Sequence, residues 1–325
     1  MAGIGTFISV GRSLDSALER VKRADALGFD SVYTTHIAAR DSLSVLMAYA
    51  SVSDRIRLGT GVLPALSRTP VATAQAAATI DEFSGGRMVL GIGISHKVTV
   101  ENWFGATISK PVTQMREYAG ILRALFRGEQ PPEGEFFTTN FAFMGYQVRS
   151  DLPIYLAGLS PGMLRLAGEI GDGVVLWLCG PSYIRDVVIP AVREGRERAG
   201  KTLEGFDVVA AVPAALTEDR AAAHATMRGN LITYMSLPFY RTMLERSGFG
   251  DEIAAFDAGM QGGDTEAGLA GISERMLGEL FAIGNADEVR EGVGRYIEAG
   301  ATSPGVAAVP GTDYAATLEA ASDLL

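Results

Sequence analysis

The chain is poor in the residue types that most often reveal chemistry. It has one cysteine, Cys179, in 325 residues. An intramolecular disulfide is therefore impossible, and so is a thiolate cluster for zinc or iron–sulfur. Cys179 itself reads as a small buried hydrophobe at a strand end. There are three histidines, so near-neutral acid–base chemistry has few carriers. Positive charge is also scarce, with 28 Lys plus Arg against 38 Asp plus Glu and a formal net charge of -10. Global attraction to nucleic acid or anionic lipid is excluded, which leaves a small molecule as the expected partner. No apolar run reaches the roughly 18 residues a membrane span needs, and Met1 to Gly5 has no basic, apolar leader pattern. A cytoplasmic location is the expectation. An HExxH pair, a Walker-type loop and a Gly-x-Ser-x-Gly elbow are all missing, and no metal site is expected.

The chain does have apolar material, with 47% hydrophobic and 20% charged residues, enough for an extensive core. Short β-branched runs alternate with segments of helical period, joined by Gly, Ser, Pro and Asp clusters. Strands are expected at Gly3–Val10, Ser31–Thr35, Ile56–Leu63, Met88–Ile94, Ile154–Ala157, Gly173–Leu178, Val208–Val212 and Val306–Val309. Ser13 caps the first intervening helix and Gly28 ends it. Further helices read at Asp41–Ser51, Pro70–Phe83, Val112–Leu125, Gly162–Glu169, Tyr183–Ala199 and from Asp313, with Glu117 and Tyr118 on a partly polar surface. A hairpin is expected at Glu133–Gln147, and Asn285 to Glu288 reads as a capping box. Nearly all the strands are continuous apolar runs, as a parallel barrel covered on both faces requires. A doubly wound sheet would show fewer units per domain and a boundary near the middle. The fold class is therefore α/β, a (β/α)8 TIM barrel in one domain, 1–325. The segment from Glu218 to Gly278 lies after strand seven and reads as a helical insertion over the active site, within 218–280.

In such a barrel the site lies at the C-terminal ends of the strands. Those junctions are Thr34–Ile37, Thr60–Pro64, Gly91–His96, Ala157–Pro161 and Trp177–Gly180, rich in Gly, Ser and Thr. That composition suits a planar cofactor approached by backbone groups. Gly91 and Gly93 are not a dinucleotide fingerprint, because His96 stands where a third glycine belongs. They either open the mouth to a ring or permit tight strand packing.

Several motifs in one order are more specific: Leu58-Gly59-Thr60-Gly61-Val62-Leu63-Pro64, Arg68-Thr69-Pro70, Asp81-Glu82-Phe83-Ser84-Gly85-Gly86-Arg87, Leu90-Gly91-Ile92-Gly93, Pro153 to Gly158, Ala167 to Gly173 and Gly284 to Val289. Together they resemble the luciferase-like superfamily over almost the whole chain. Within it they resemble the branch dependent on the deazaflavin coenzyme F420, which includes the methylenetetrahydromethanopterin reductases. The resemblance implies an oxidoreductase with F420, or alternatively FMN as a monooxygenase, acting as a homodimer. It implies a cis peptide at Gly61–Val62 behind the cofactor ring and a phosphate site at Gly158, Leu159, Ser160 and Pro161. Thr35, His36, Thr60, Gly93, Ser95 and Trp177 join them as cofactor-binding candidates.

The sequence also departs from that pattern. Relatives often end strand two with Asp-His, where this chain has Thr34-Thr35-His36-Ile37. The methanopterin reductases carry a Glu at the end of strand one, where this chain has Gly5-Thr6-Phe7-Ile8, so their substrate is not expected here. A non-catalytic flavin-binding relative stays open as a further reading. His36 and His96 are left as the acid–base candidates, and His224 reads as a residue of a surface helix. Trp177 walls the cofactor or substrate or packs the core. Thr6, Tyr234, Phe239 and Tyr240 are the remaining substrate-pocket candidates, and Arg68 meets either an acidic cofactor group or a surface carboxylate.

Overall fold

The computed structural model describes residues 3–36 and 38–325. Eight parallel strands close into a barrel: β1 (Gly5–Phe7), β2 (Ser31–Thr34), β3 (Arg57–Thr60), β4 (Met88–Gly93), β5 (Ile154–Ala157), β6 (Gly173–Leu176), β7 (Asp207–Leu216) and β8 (Ser303–Ala308). Closure comes from β8, which pairs with β1 on one side and with β7 on the other. Helices α1 (Leu14–Leu27), α2 (Ser42–Ala50), α3 (Pro70–Phe83), α4 (Pro111–Arg127), α5 (Pro161–Ile170) and α6 (Ile189–Arg198) follow the first six strands. The start signals act as read: the Ser13 hydroxyl and the Asp313 carboxylate each accept a first-turn N–H, Gly28 is left-handed at φ 93°, and Asn285 and Glu288 form a reciprocal capping box.

Alternation along the strands decides what fills the barrel. Phe7, Tyr33, Val89, Tyr155, Val175, Val209 and Ala211 form one cluster inside it, separate from the strand–helix core. The rings fit because glycines face them. A Cβ at Gly59 would lie 2.2 Å from the Tyr33 ring, one at Gly61 2.6 Å from Phe7, and one at Gly173 2.9 Å from Tyr155. Beneath this layer, at the start of the strands, Arg57 pairs with Asp30 and Asp207, and Asp207 accepts hydrogen bonds from Tyr155, Thr302 and Ser303.

The structure corrects several expectations. Strand three does not run unbroken to Leu63: it stops at Thr60 and resumes at Leu63–Pro64, with a cis Gly61–Val62 bond between. Residues 133–147 form no hairpin. The Glu117 carboxylate accepts the N–H groups of Glu135, Phe136 and Phe137, so a side chain takes the place of a strand ladder. Tyr118 is not on a polar surface but buried, bonded to Thr73 and edge-on to Phe137. A short strand, Ala282–Gly284, was not expected and extends β7 outward.

The segment after β7 is helical: α7 (Arg220–Met235), α8 (Pro238–Arg246), α9 (Gly250–Gln261), α10 (Thr265–Ala270) and α11 (Glu274–Leu280). Then α12 (Ala286–Glu298) leads to β8, and α13 (Tyr314–Ser322) ends the fold. His224 is buried in α7, with Nδ1 2.7 Å from Glu274 Oε2, so it ties α7 to α11 and is not a surface residue.

The glycine–aromatic fit sets the first prediction. Replacing Gly59 with Ala should destabilise the fold by about 1–3 kcal/mol through overpacking against Tyr33. Denaturant unfolding would measure it, and an unchanged midpoint would show that the interior has slack.

Candidate active site

The inward phase that points Phe7, Tyr33 and Tyr155 into the barrel also selects which residues reach its mouth. Two residues further along β2, Thr35 is half-buried and its hydroxyl meets Ser9 at 3.1 Å, across the ends of β1 and β2. Two residues past Val175, Trp177 packs against the interior cluster, and its indole Nε1 is buried without a hydrogen-bond partner. The opposite phase removes two candidates. Thr6 points outward, donating to the Val306 carbonyl at 2.9 Å and meeting the Tyr314 hydroxyl at 3.2 Å, so it does not line a pocket. Thr60 is fully buried and donates to the Gly91 carbonyl at 2.6 Å, so its hydroxyl is spent on holding β3 to β4.

That close approach explains Gly91, where a Cβ would lie 2.1 Å from the Thr60 carbonyl oxygen. Gly93 is enclosed in the same way, 2.9 Å from Val62 and 3.0 Å from Ala157. Both glycines serve tight strand packing. Beyond them the chain turns sharply: Ser95 has φ 64°, and Leu178, after β6, has φ 56°. Two non-glycine residues in the left-handed region at two strand ends are uncommon and mark this rim as a place where conformation is imposed from outside the residue.

His36 sits on this rim, with its side chain 11% exposed. The Ser42 N–H, at the start of α2, donates to Nδ1 at 3.2 Å, which makes Nδ1 an acceptor and places the proton of the neutral ring on Nε2. The Ser42 hydroxyl lies equally close, and Phe104 stands 6.2 Å away, ring to ring. Asp41 comes within 3.7 Å but is committed elsewhere. It caps α2 through the Ser44 N–H at 2.8 Å and is paired with Arg68, which answers the question of the Arg68 partner. Burial therefore wins, holding the His36 pKa below its usual value against the pull of Asp41 and with the help of Arg68. His96 is held low by burial as well. Ile37, the last residue of the β2 junction, lies outside the described residues.

The other side of the mouth is a chain of rings. His96 lies 5.7 Å from Tyr240, Tyr240 lies 4.8 Å from Tyr234 in an edge-to-face contact, and Tyr234 lies 6.2 Å from Trp177. Two of these rings come from strand ends and two from α7 and α8, so the helical segment after β7 touches the mouth here. Phe239 is not among them, being 57% exposed on the outer side of α8. Cys179 is buried, with its thiol pushed well above the usual range, and is inert.

On the β5 side, Ser160 caps α5, its hydroxyl accepting the Met163 N–H at 3.4 Å, and Pro161 opens the helix. Gly158 is buried below this turn, and the Leu159 carbonyl is fixed by the Tyr183 hydroxyl at 2.6 Å. The corresponding helix start after β6 is already filled: Glu279, from α11, accepts the Ser182 N–H at 2.7 Å. The Glu279 contact carries no short-range sequence signal, because 97 residues separate its partners. Among the described residues no group of His, Cys, Asp and Glu is arranged to hold a metal ion.

Residues 1–303 match the family described as luciferase-like monooxygenase. The 5,10-methylenetetrahydromethanopterin reductase of Archaeoglobus fulgidus is 35% identical over 87% of this chain and 86% of its own length. A putative coenzyme F420-dependent oxidoreductase of Mycobacterium tuberculosis is 30% identical over 87% of this chain and 88% of its own. The solved structure of the F420-dependent tetrahydromethanopterin reductase of Methanopyrus kandleri superposes with a TM-score of 0.84 at 25% identity, covering 99% of this chain and 97% of that one.

The protonation of His36 is directly testable. Its folded pKa lies below 6.5, so the unfolded chain takes up the proton first as pH falls. The stability this group contributes is complete above pH 6.5 and is lost as pH drops through the folded value. An NMR titration should place the His36 midpoint below 6.5, and His36→Gln should flatten that part of the stability–pH profile. A midpoint above 6.5 would mean that Asp41 outweighs burial.

Proposed function

The chain belongs to the luciferase-like monooxygenase family, and on that premise we propose that it is an F420-dependent oxidoreductase. Its reaction moves a hydride between a deazaflavin and an electrophilic C=C, C=N or C=O carbon of a small organic substrate. The observation that carries this reading is the character of the mouth. It is walled by neutral rings and backbone turns, with the indole donor of Trp177 buried and unanswered. Such a site suits a flat, uncharged ring system better than a metal or a nucleophile. The relatives named for F420 or for the methanopterin reductase reaction add independent support.

In this reading the broken strand at Gly61 and Val62 backs the coenzyme ring, with Thr35, His36, Ser95 and Trp177 around it. Gly158, Leu159, Ser160 and Pro161 take its phosphate, where the α5 amides favour an anion. Thr60 and Gly93 act by holding β3 and β4 in place. The bound coenzyme supplies a hydride from C5 when reduced. The chain supplies the rest: the rings of α7 and α8 exclude water, and an imidazole gives a proton to the substrate atom that receives the displaced electron pair. His36 is one candidate for this task and His96 the second, each acting from the imidazolium form after it has taken up a proton. The helices of 218–280 serve as the cover of the site, and the active form is a homodimer in the cytoplasm.

An FMN-dependent monooxygenase is the second reading, favoured by the description of the matching family. Fluorescence titration of the purified protein with F420 and, separately, with FMN distinguishes the two. Preference for F420 by at least about tenfold, some 1.4 kcal/mol, is expected. Preference for FMN with oxygen uptake would overturn it. His36→Gln and His96→Gln should each be assayed once turnover is found. A fall of about 100-fold or more in kcat is expected for the proton donor, and unchanged rates in both would remove the imidazole from the mechanism.

A further inference from the structure

The segment after β4 crosses the mouth between the two rim histidines. At its start His96 lies 5.7 Å from Tyr240, and at its end Phe104 stands 6.2 Å from His36, ring to ring. Between them the chain makes one wide turn. The Val100 N–H donates to the His96 carbonyl at 2.9 Å, Thr99–Trp103 is a π-helical turn, and the Ala106 N–H donates to the Val100 carbonyl at 3.2 Å. Such turns are rare and frequently sit at functional sites. Of the side chains from His96 to Phe104, only that of Val100 is fully buried.

Both ends of the segment are joints. Ser95 has φ 64° and Gly105 φ 66°, and no atom lies within 4 Å of where a Gly105 Cβ would stand, so packing does not dictate the conformation there. On either side the chain is firmly held. β4 lies in the barrel wall, and the buried Gln114 of α4 accepts the Ser109 N–H at 3.1 Å and donates to the Thr107 carbonyl at 2.9 Å. A lightly packed segment between two left-handed residues, with anchored chain beyond them, has the build of a hinged strap. Its one ion pair, Lys97 with Glu101 at 3.9 Å, is internal and travels with it. Its apolar side chains are left open instead, Trp103 being 55% exposed and Val98 60%. An exposed indole beside a site suited to a flat ring is area that a ligand can bury.

We propose that residues 96–104 swing as a strap about Ser95 and Gly105 onto a flat ligand bound in the mouth, and that Trp103 is the ring that covers it. The inference rests on the reading of the mouth as a binding site, not on which coenzyme fills it. It adds Trp103, which was not among the sequence candidates, to the binding residues. Stacking of the indole on the ligand supplies the difference in affinity between open and closed forms that closure requires. The closed strap completes the exclusion of water that the rings of α7 and α8 begin from the other side.

Trp103 and Trp177 are the two tryptophans of the chain, which makes the test direct. Protein labelled with fluorotryptophan gives one fluorine NMR signal for each, assigned with Trp103→Phe, and a soluble nitroxide reads the exposure of both rings. In the free protein the nitroxide should broaden Trp103 far more than Trp177. Saturating F420, or FMN in a parallel sample, should reduce that effect on Trp103 by at least about fivefold. Hydrogen exchange should show new protection over 97–104 and none over 107–109, because the joint lies at Gly105. Trp103→Ala should speed ligand release at least about fivefold, and Trp103→Phe, which keeps a ring, by less than about twofold, with circular dichroism verifying that both variants fold. Trp103 shielded already in the free protein, Trp103 as exposed with either ligand as without, or shielding that follows protein concentration and not ligand would overturn the proposal. Shielding by FMN alone would refute the F420 reading and leave the strap standing, whereas F420 bound with Trp103 still exposed would do the reverse.

Discussion

The fit of three aromatic rings against glycines inside the barrel is the constraint on which the rest depends. Phe7, Tyr33 and Tyr155 fill the interior only because Gly61, Gly59 and Gly173 offer no side chain opposite them. A barrel interior of this kind is a packed core, and its phase is fixed, since a slip of one residue would turn every ring outward. Once Tyr33 and Val175 point in, Thr35 and Trp177 must rise at the rim. Once Phe7 points in, Thr6 must point out toward Tyr314. The composition of the active face thus follows from packing several ångströms below it.

The second consequence concerns charge. A barrel mouth of rings and backbone turns has low local polarity, so an ionised group there must be paired or give up its charge. Asp41 takes the first course through Arg68 and the α2 cap, and the two rim histidines take the second. At the end of β1 this chain has an outward threonine and an inward phenylalanine. The His36 imidazole beside it is favoured in its neutral form, and its tautomer is set by one backbone N–H.

Much of this was legible in the sequence, where local chemistry determined it. Caps at Ser13, Asp313 and Asn285, the proline start of α3, and seven of the eight strand cores follow from side chains that act within four residues of themselves. The eighth, strand three, was expected as a single run from residue-level patterning, and only the motif resemblance pointed to the break at Gly61–Val62. The misses share a cause: distant partners. Nothing near Glu133–Gln147 shows that Glu117 will accept its amides, and nothing near His224 shows that Glu274 will reach it from 50 residues away. Thr6 was assigned to the pocket because β1 is too short for alternation to reveal its phase. Phe239 was grouped with Tyr234 and Tyr240, although the turn at Ser236–Pro238 rotates it to the solvent face of α8.

The segment after β7 gives the mouth its shape by the same long-range logic. Tyr234 and Tyr240 stand where they do because α7 is tied to α11 through His224, Arg228 and Glu274, and because Glu252 of α9 binds Ser273 and Arg275 at the start of α11. From α11, Glu279 reaches back to the Ser182 N–H, and Gly180 is required there, since a Cβ would fall 2.9 Å from the Glu279 chain. One carboxylate thereby does two things. It anchors the helical segment after β7 to the strand-six loop, and it occupies the helix start there. The α5 start at Ser160 and Pro161 is completed differently, by the Ser160 hydroxyl, which accepts the Met163 N–H from within the same turn.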